Sequence, residues 1–121
     1  MVILDANMIL RYLLNDNLQM AEKAGEYIDS GGVSVTIEVI AEVVYVLKGV
    51  YSLERDLIAD TLKRFLTLVR CQEAAVLNAA LNTYGKQNID FVDCVLFGYH
   101  SVYGIEIATF DRKLLKLMAH Q

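Results

Sequence analysis

Gly31-Gly32-Val33-Ser34-Val35-Thr36, running on into Ile37-Glu38-Val39-Ile40-Ala41-Glu42-Val43-Val44-Tyr45-Val46-Leu47, is the stretch whose reading decides the fold. Paired glycines end a preceding helix, because glycine reaches the backbone conformations that close a last turn without steric cost. Val33–Val35 is short, apolar and flanked by turn residues, as a strand in a buried parallel sheet is. Thr36 then offers a hydroxyl to the open backbone N–H groups of a new helix, which runs to Lys48-Gly49. Helix, strand and helix in such close succession argue for an α/β domain.

The same alternation extends in both directions. Val2–Leu4 reads as a short buried strand, followed by helices over Ala6–Leu14 and Leu18–Asp29. After Gly49, Ser52 is read as the cap of a helix to about Leu68, with Leu57, Ile58, Leu62, Phe65 and Leu66 as its apolar face. Val69–Cys71 reads as a short strand, and Glu73–Tyr84 as a helix ended by Gly85. Asp90 caps a helix from Phe91 to Tyr103, ended by Gly104. Ile105–Thr109 is expected to be a strand, and Asp111 opens a last helix over Arg112–Met118. The expectation is one domain over residues 1–121, with three layers around a parallel sheet. The functional crevice of such a sheet lies beyond the carboxyl ends of its strands. Asp5 and Asp111 both fall there.

Composition narrows the function classes. The chain has 121 residues, is 55% hydrophobic and carries a formal charge of −4. No general basic field draws nucleic acid in, and the apolar content suggests a covered face such as a dimer interface. Of the 15 acids, removing Asp5, Glu42, Asp93 and Asp111 leaves 11 against 11 bases, so the whole excess fits in one cluster. Cys71 and Cys94 lack metal-binding or disulfide spacing and read as thiols in a reducing compartment. No apolar run is long enough to span a bilayer, and Met1-Val2-Ile3-Leu4-Asp5 has no charged leader, so a cytoplasmic protein without membrane contact is expected.

Each acid has a plain reading and a chemical one. Asp5 and Asp111 pass as helix N-caps. Asp90 and Asp93 resemble a capping arrangement at a helix start, with both carboxylates favoured by the helix dipole. The chemical reading leaves the cap to Asp90 and turns Asp93 inward as a ligand. Glu42 sits in a nearly apolar helix, where an ionised carboxylate is costly without a partner or cation. Alternatively, Glu38 and Glu42 share one face and form a polar stripe toward water. Converging carboxylates repel unless positive charge is supplied, and hard oxygen ligands of this kind suit Mg²⁺ or Mn²⁺. His100 and His120 are isolated, which leaves no cluster for zinc.

Four segments, Val2-Ile3-Leu4-Asp5-Ala6-Asn7, Ile40–Leu47, Asp90-Phe91-Val92-Asp93-Cys94 and Thr109-Phe110-Asp111-Arg112-Lys113-Leu114, resemble in order and separation the acidic motifs of PIN (PilT N-terminal) domains. The likeness runs from Val2 to Leu117 and is greatest to the VapC-type toxins of toxin–antitoxin pairs. It implies a three-layer α/β/α fold with four strands, or five counting the edge strand that usually follows the last helix. It also implies endonucleolytic RNA hydrolysis with Mg²⁺ or Mn²⁺, Asp5, Glu42, Asp93 and Asp111 being the catalytic and metal-binding acids. Asn7, Thr109 and Asp90 take supporting places in that scheme. A homodimer and a cognate antitoxin are the implied partners. Arg11, Arg112 and Lys113 are candidates for RNA phosphate contacts, against the plainer reading of Arg112, Lys113 and Lys116 as a solvated helix face.

Two other classes compete. A Mg²⁺-dependent phosphatase or phospho-receiver also places an aspartate after its first strand, but the Asp-x-Asp expected of one is Asp5-Ala6-Asn7 here. A receiver wants paired acids after the first strand and a lysine after a late one. A catalytically silent PIN-like interaction module would keep the fold and need none of the acids.

Overall fold

Local capping rules set most of the architecture. The structure, a computed structural model, describes residues 1–120, and its elements alternate from the N-terminus. β1 (Val2–Ile3) leads into α1 (Ala6–Leu14) and α2 (Leu18–Asp29), then β2 (Val33–Ser34), α3 (Ile37–Gly49) and α4 (Arg55–Phe65). α5 (Ala74–Lys86), α6 (Phe91–Tyr103) and α7 (Arg112–Ala119) complete the order. Five helices start on a side-chain cap: Asp5, Asn17, Thr36, Asp90 and Asp111 each accept a hydrogen bond from a first-turn N–H. Asn15 (φ 52°) ends α1 and Gly104 (φ 68°) ends α6, both in the left-handed region that relieves the last carbonyls.

β1 and β2 run parallel, with Val2 opposite Val33 and Ile3 opposite Ser34. Arg70 adds a single parallel bridge to Ser34, its N–H donating to the Val33 carbonyl (3.1 Å) while the Val35 N–H donates to its own (2.9 Å). β2 is therefore central, and Val33 and Val35 are buried.

The sheet is smaller than the expected four or five strands. Among the described residues it has two strands and one bridge. Ile105–Thr109 joins no ladder, and Val69–Cys71 contributes only Arg70. The ends of the former segment are held elsewhere: the Ile105 carbonyl accepts from His100 Nδ1 (2.9 Å), and Thr109 Oγ1 accepts from the Asp111 N–H (3.0 Å). A two-residue β1 offers too few ladder bonds to offset ordering that segment against it. As a result β1 has an open edge. Val2 and Ile3, expected to be buried, are 43% and 61% exposed, and only Leu4 goes inside.

The start of α4 and the facing of Leu57 also differ from expectation. Ser52 does not cap α4; it adopts φ 54°, and the helix begins at Arg55 after Glu54, which makes no side-chain cap bond. Leu57, expected on the apolar face, is turned outward, whereas Ile58, Leu62 and Phe65 are buried.

The core is mainly helical. Ile40, Val43, Val44 and Leu47 of α3 recur at helical spacing and are fully buried. They join Ile58 and Leu62 of α4, Leu77 and Leu81 of α5, and Phe91 and Cys94 of α6 in one cluster. α5 and α6 approach closely at Gly98, where an added Cβ would stand 2.8 Å from the Val76 carbonyl oxygen and 3.2 Å from its Cγ1. Backbone cannot yield as a flexible side chain does. Gly98→Ala is therefore expected to lose about 1–3 kcal/mol through overpacking, more than alanine's helix preference of about 1 kcal/mol returns. Gly49→Ala, which meets nothing within 4 Å, is the control. Urea unfolding that finds Gly98→Ala as stable as Gly49→Ala would refute the close approach. No helix among the described residues is long and apolar enough to cross a membrane.

Candidate active site

The acids predicted from sequence lie at helix starts for local reasons, and those reasons determine which lone pairs remain free. Asp5 Oδ1 accepts from the Met8 N–H (2.8 Å) and Asp111 Oδ1 from the Leu114 N–H (2.9 Å). Each carboxylate is thereby fixed at one oxygen, and both residues are exposed. Asp90 is the N-cap of α6, accepting from the Val92 N–H (3.2 Å). Both its oxygens also receive the Tyr45 hydroxyl, at 3.1 Å each. Asp90 takes the cap expected of it, and Asp93 stands one turn on, half-buried.

Asp93 is the electrostatically unusual carboxylate. Partial burial raises its pKa above the ordinary carboxylate value, and the like charges of Asp111 and Asp90 raise it further. Three acids from the start of α6 and the start of α7 thus act on one another. The same neighbourhood reaches α3. Burial raises the Tyr45 pKa first, the hydrogen bond to Asp90 adds to that, and Asp93 contributes a smaller push. Tyr45 therefore stays a neutral donor that ties α3 to the start of α6.

Tyr45 was not singled out as a site residue from sequence; its only signal was its position three residues after Glu42, on the same helical side. Arg55 was missed as well. Its guanidinium lies over the Tyr84 ring (3.8 Å to the centroid), and its Nε donates to the Tyr84 carbonyl (2.9 Å). Its Nη2 donates to the Ile89 carbonyl. That clamp holds the turn leading into Asp90. A lone arginine at a helix start gives no sequence cue of this kind, since both acceptors are backbone atoms distant along the chain.

Asp5 and Glu42 are placed differently. Asp5 and Asn7 open onto a cleft of about 420 Å³ between α1 and α2, also lined by Arg11 and Lys23. Glu38 and Glu42 are both exposed on α3, as the polar-stripe reading expected. Among the described residues, no three histidine, cysteine or acidic side chains converge closely enough to hold a metal ion. The expected four-acid pocket is thus only partly assembled.

Arg11, expected as a phosphate contact, has another partner. Its Nη1 donates to both Asp16 oxygens (2.8 and 2.7 Å), and its Nη2 approaches the Tyr51 hydroxyl at 3.4 Å. Most of its charge is answered within the chain. Thr109 Oγ1 accepts from the Asp111 N–H (3.0 Å). Arg112 is exposed, and Lys113 Nζ donates to the Asn88 carbonyl (3.2 Å).

As a donor set, Asp93 and Asp111 fit a hard dication. Both offer carboxylate oxygens, their like charges repel, and the groups acting on Asp93 include no cation to offset them. Comparison with known proteins supports that chemistry. The family model of the PIN domain matches residues 2–119, nearly the whole chain. Neither the curated proteins nor the solved structures contain a significant match. PIN domains are generally nucleases that require a divalent metal. The order of the acidic segments, the caps that carry them and the extent of that match lead to one assignment: the chain belongs to the PIN domain family.

Proposed function

We propose that the chain is a Mg²⁺- or Mn²⁺-dependent endoribonuclease, the toxin of a toxin–antitoxin pair. What supports the reading is the placement of Asp93, half-buried one turn into α6 beside the like charges of Asp111 and Asp90, with no cation among the groups acting on it. Asp93 and Asp111 would hold the ion, and Asp5 and Glu42 enter as further acids through the family resemblance. A bound dication supplies Lewis acidity toward a phosphodiester. The chain's own groups do the positioning. Tyr45 and the Val92 N–H hold Asp90 as a cap, so that it does not compete for the ion. The Leu114 N–H fixes the Asp111 carboxylate at one oxygen and leaves the other free, while Thr109 Oγ1 accepts from the Asp111 backbone N–H. RNA is the substrate and Asn7 a supporting polar group beside Asp5. A homodimer and an antitoxin that covers the acidic groove are the partners.

The test is cleavage of a long single-stranded RNA by the purified chain with Mn²⁺, with Mg²⁺ and with chelator. Activity that depends on metal and disappears in Asp111→Asn, with the fold retained, supports the reading. Equal activity in the variant points to a contaminant.

A second reading has a specific observation behind it. No three described acids converge on one point, as expected of a PIN-like interaction module without catalysis. Thermal melting separates the two, because an ion that binds the folded state raises the melting temperature. Stabilisation by Mn²⁺ supports the nuclease, and its absence at millimolar ion supports the module.

A further inference from the structure

Beside the carboxylates lies a cavity of the opposite electrostatic character. It has a volume of about 420 Å³ and lies between the turn after α5 and one side of α7. Lys113, Lys116 and His120 line it from α7 and its end, and Gln87 and Asn88 from the turn. No aspartate or glutamate lines it among the described residues. In a chain of net charge −4, this concentration of side chains able to carry positive charge stands out.

The geometry makes these groups available together. Residues 113, 116 and 120 are spaced three and four apart, so α7 presents them along one side. Lys113 donates to the Asn88 carbonyl, which draws the lysine over the turn and leaves its other two N–H donors free. Lys116 has no hydrogen bond or ion pair among the described residues. Arg112 does not line the cavity. All three side chains are exposed, as the solvated-face reading expects, and of the three only Lys113 and Lys116 line the cavity.

The position is equally informative. Ile89, in the cavity wall, immediately precedes Asp90, and Lys113 follows Asp111 by two residues. Two ammonium groups, an imidazole and two carboxamides with hydrogen-bond donors are the chemistry that receives a phosphate. We propose that this cavity holds a backbone phosphate of the RNA strand next to the acidic site, so that α7 carries a ligand acid at its start and the strand's anchor along its side. The proposal rests on the RNA reading given above. Such contacts set the position of the strand without reading its bases.

The experiment measures binding of a fluorescein-labelled 12-nucleotide single-stranded RNA in chelator, so that no cleavage intervenes, across a series of NaCl concentrations. Wild type is compared with Lys113→Gln/Lys116→Gln and with Lys48→Gln/Lys63→Gln, which removes the same charge elsewhere. Loss of two phosphate contacts is expected to flatten the slope of log affinity against log salt by about 1.4. The control pair should keep the wild-type slope. Equal slopes in all three proteins, or equal flattening in both variants, would overturn the proposal. Competition with AMP identifies the source of the phosphate: AMP binding lost in Lys113→Gln/Lys116→Gln with RNA binding unchanged would also overturn it. Thermal melting confirms that the variants fold. The two readings can fail separately. Lysine-dependent RNA binding without cleavage removes the nuclease and keeps the cavity, and metal-dependent cleavage with identical salt slopes does the reverse.

Discussion

Asp93→Asn is expected to abolish metal-dependent RNA cleavage while making the metal-free protein more stable, an opposite pair of effects that few substitutions produce. Loss of a group that holds charge at the reacting centre should lower kcat by at least about 10²-fold. The stability effect follows from the direction of the Asp93 shift. Its pKa in the folded chain is raised, first by burial and then by Asp111 and Asp90. The folded state therefore keeps its proton to a higher pH than the unfolded chain does. As pH rises through the window from the ordinary carboxylate range to the raised value, folding loses stability, and above that window the loss is complete. At neutral pH the ionised carboxylate is thus a burden that asparagine removes. The metal-free melting temperature of Asp93→Asn should exceed that of wild type at pH 7, and the gap should close as pH falls below the window. Mn²⁺ should stabilise wild type and leave the variant where it was. A variant that melts lower than wild type at neutral pH, or that still responds to Mn²⁺, would mean that Asp93 is a structural cap and not a ligand.

Phe91→Ala should be the most damaging single truncation of the core near the site. Phe91 is fully buried, and its ring meets Tyr84 edge-on with centroids 5.7 Å apart and an interplanar angle of 79°. Removing a buried aromatic side chain costs about 3–5 kcal/mol, a large part of the roughly 5–15 kcal/mol that keeps a domain folded. The effect should reach the site, because Phe91 is the first residue of α6 and lies between Asp90 and Asp93. Its ring and the Arg55 clamp both bear on Tyr84, so the turn into Asp90 is held from two sides. Phe91→Leu, which keeps most of the apolar volume, should lose less. Urea unfolding supplies the comparison; a loss under about 1 kcal/mol in Phe91→Ala would mean that the site's end of α6 is held by polar contacts alone.

The site was legible in part. Asp5, Asp90 and Asp111 are caps, and a cap is a local event: an acid followed two or three residues later by an N–H with no helical partner. Asp93 was legible as the acid left over once Asp90 takes the cap. Glu42 was weighed both ways from sequence, and its exposure on α3 follows the polar-stripe reading. The lysines of α7 read as a solvated face and are exposed, and their sharing a cavity with the turn after α5 is set by the tertiary structure. Tyr45 and Arg55 gave no usable signal, because each bonds a partner 29 or more residues away.

The amino-acid sequence alone determined where most helices begin and end, α4 and the end of α5 excepted, which sides of most of them go inward, and which family's acidic segments the chain carries. All of these depend on interactions within a few residues, such as a cap, a glycine at a left-handed position or an apolar spacing of three and four. Only the tertiary structure decided how many strands join the sheet and which acids meet. Ile105–Thr109 has a strand's composition, yet strand pairing requires a partner edge, and β1 offers two residues. Pairing is won or lost on the balance between a few ladder hydrogen bonds and the entropy of ordering two distant segments, and no local pattern encodes that balance.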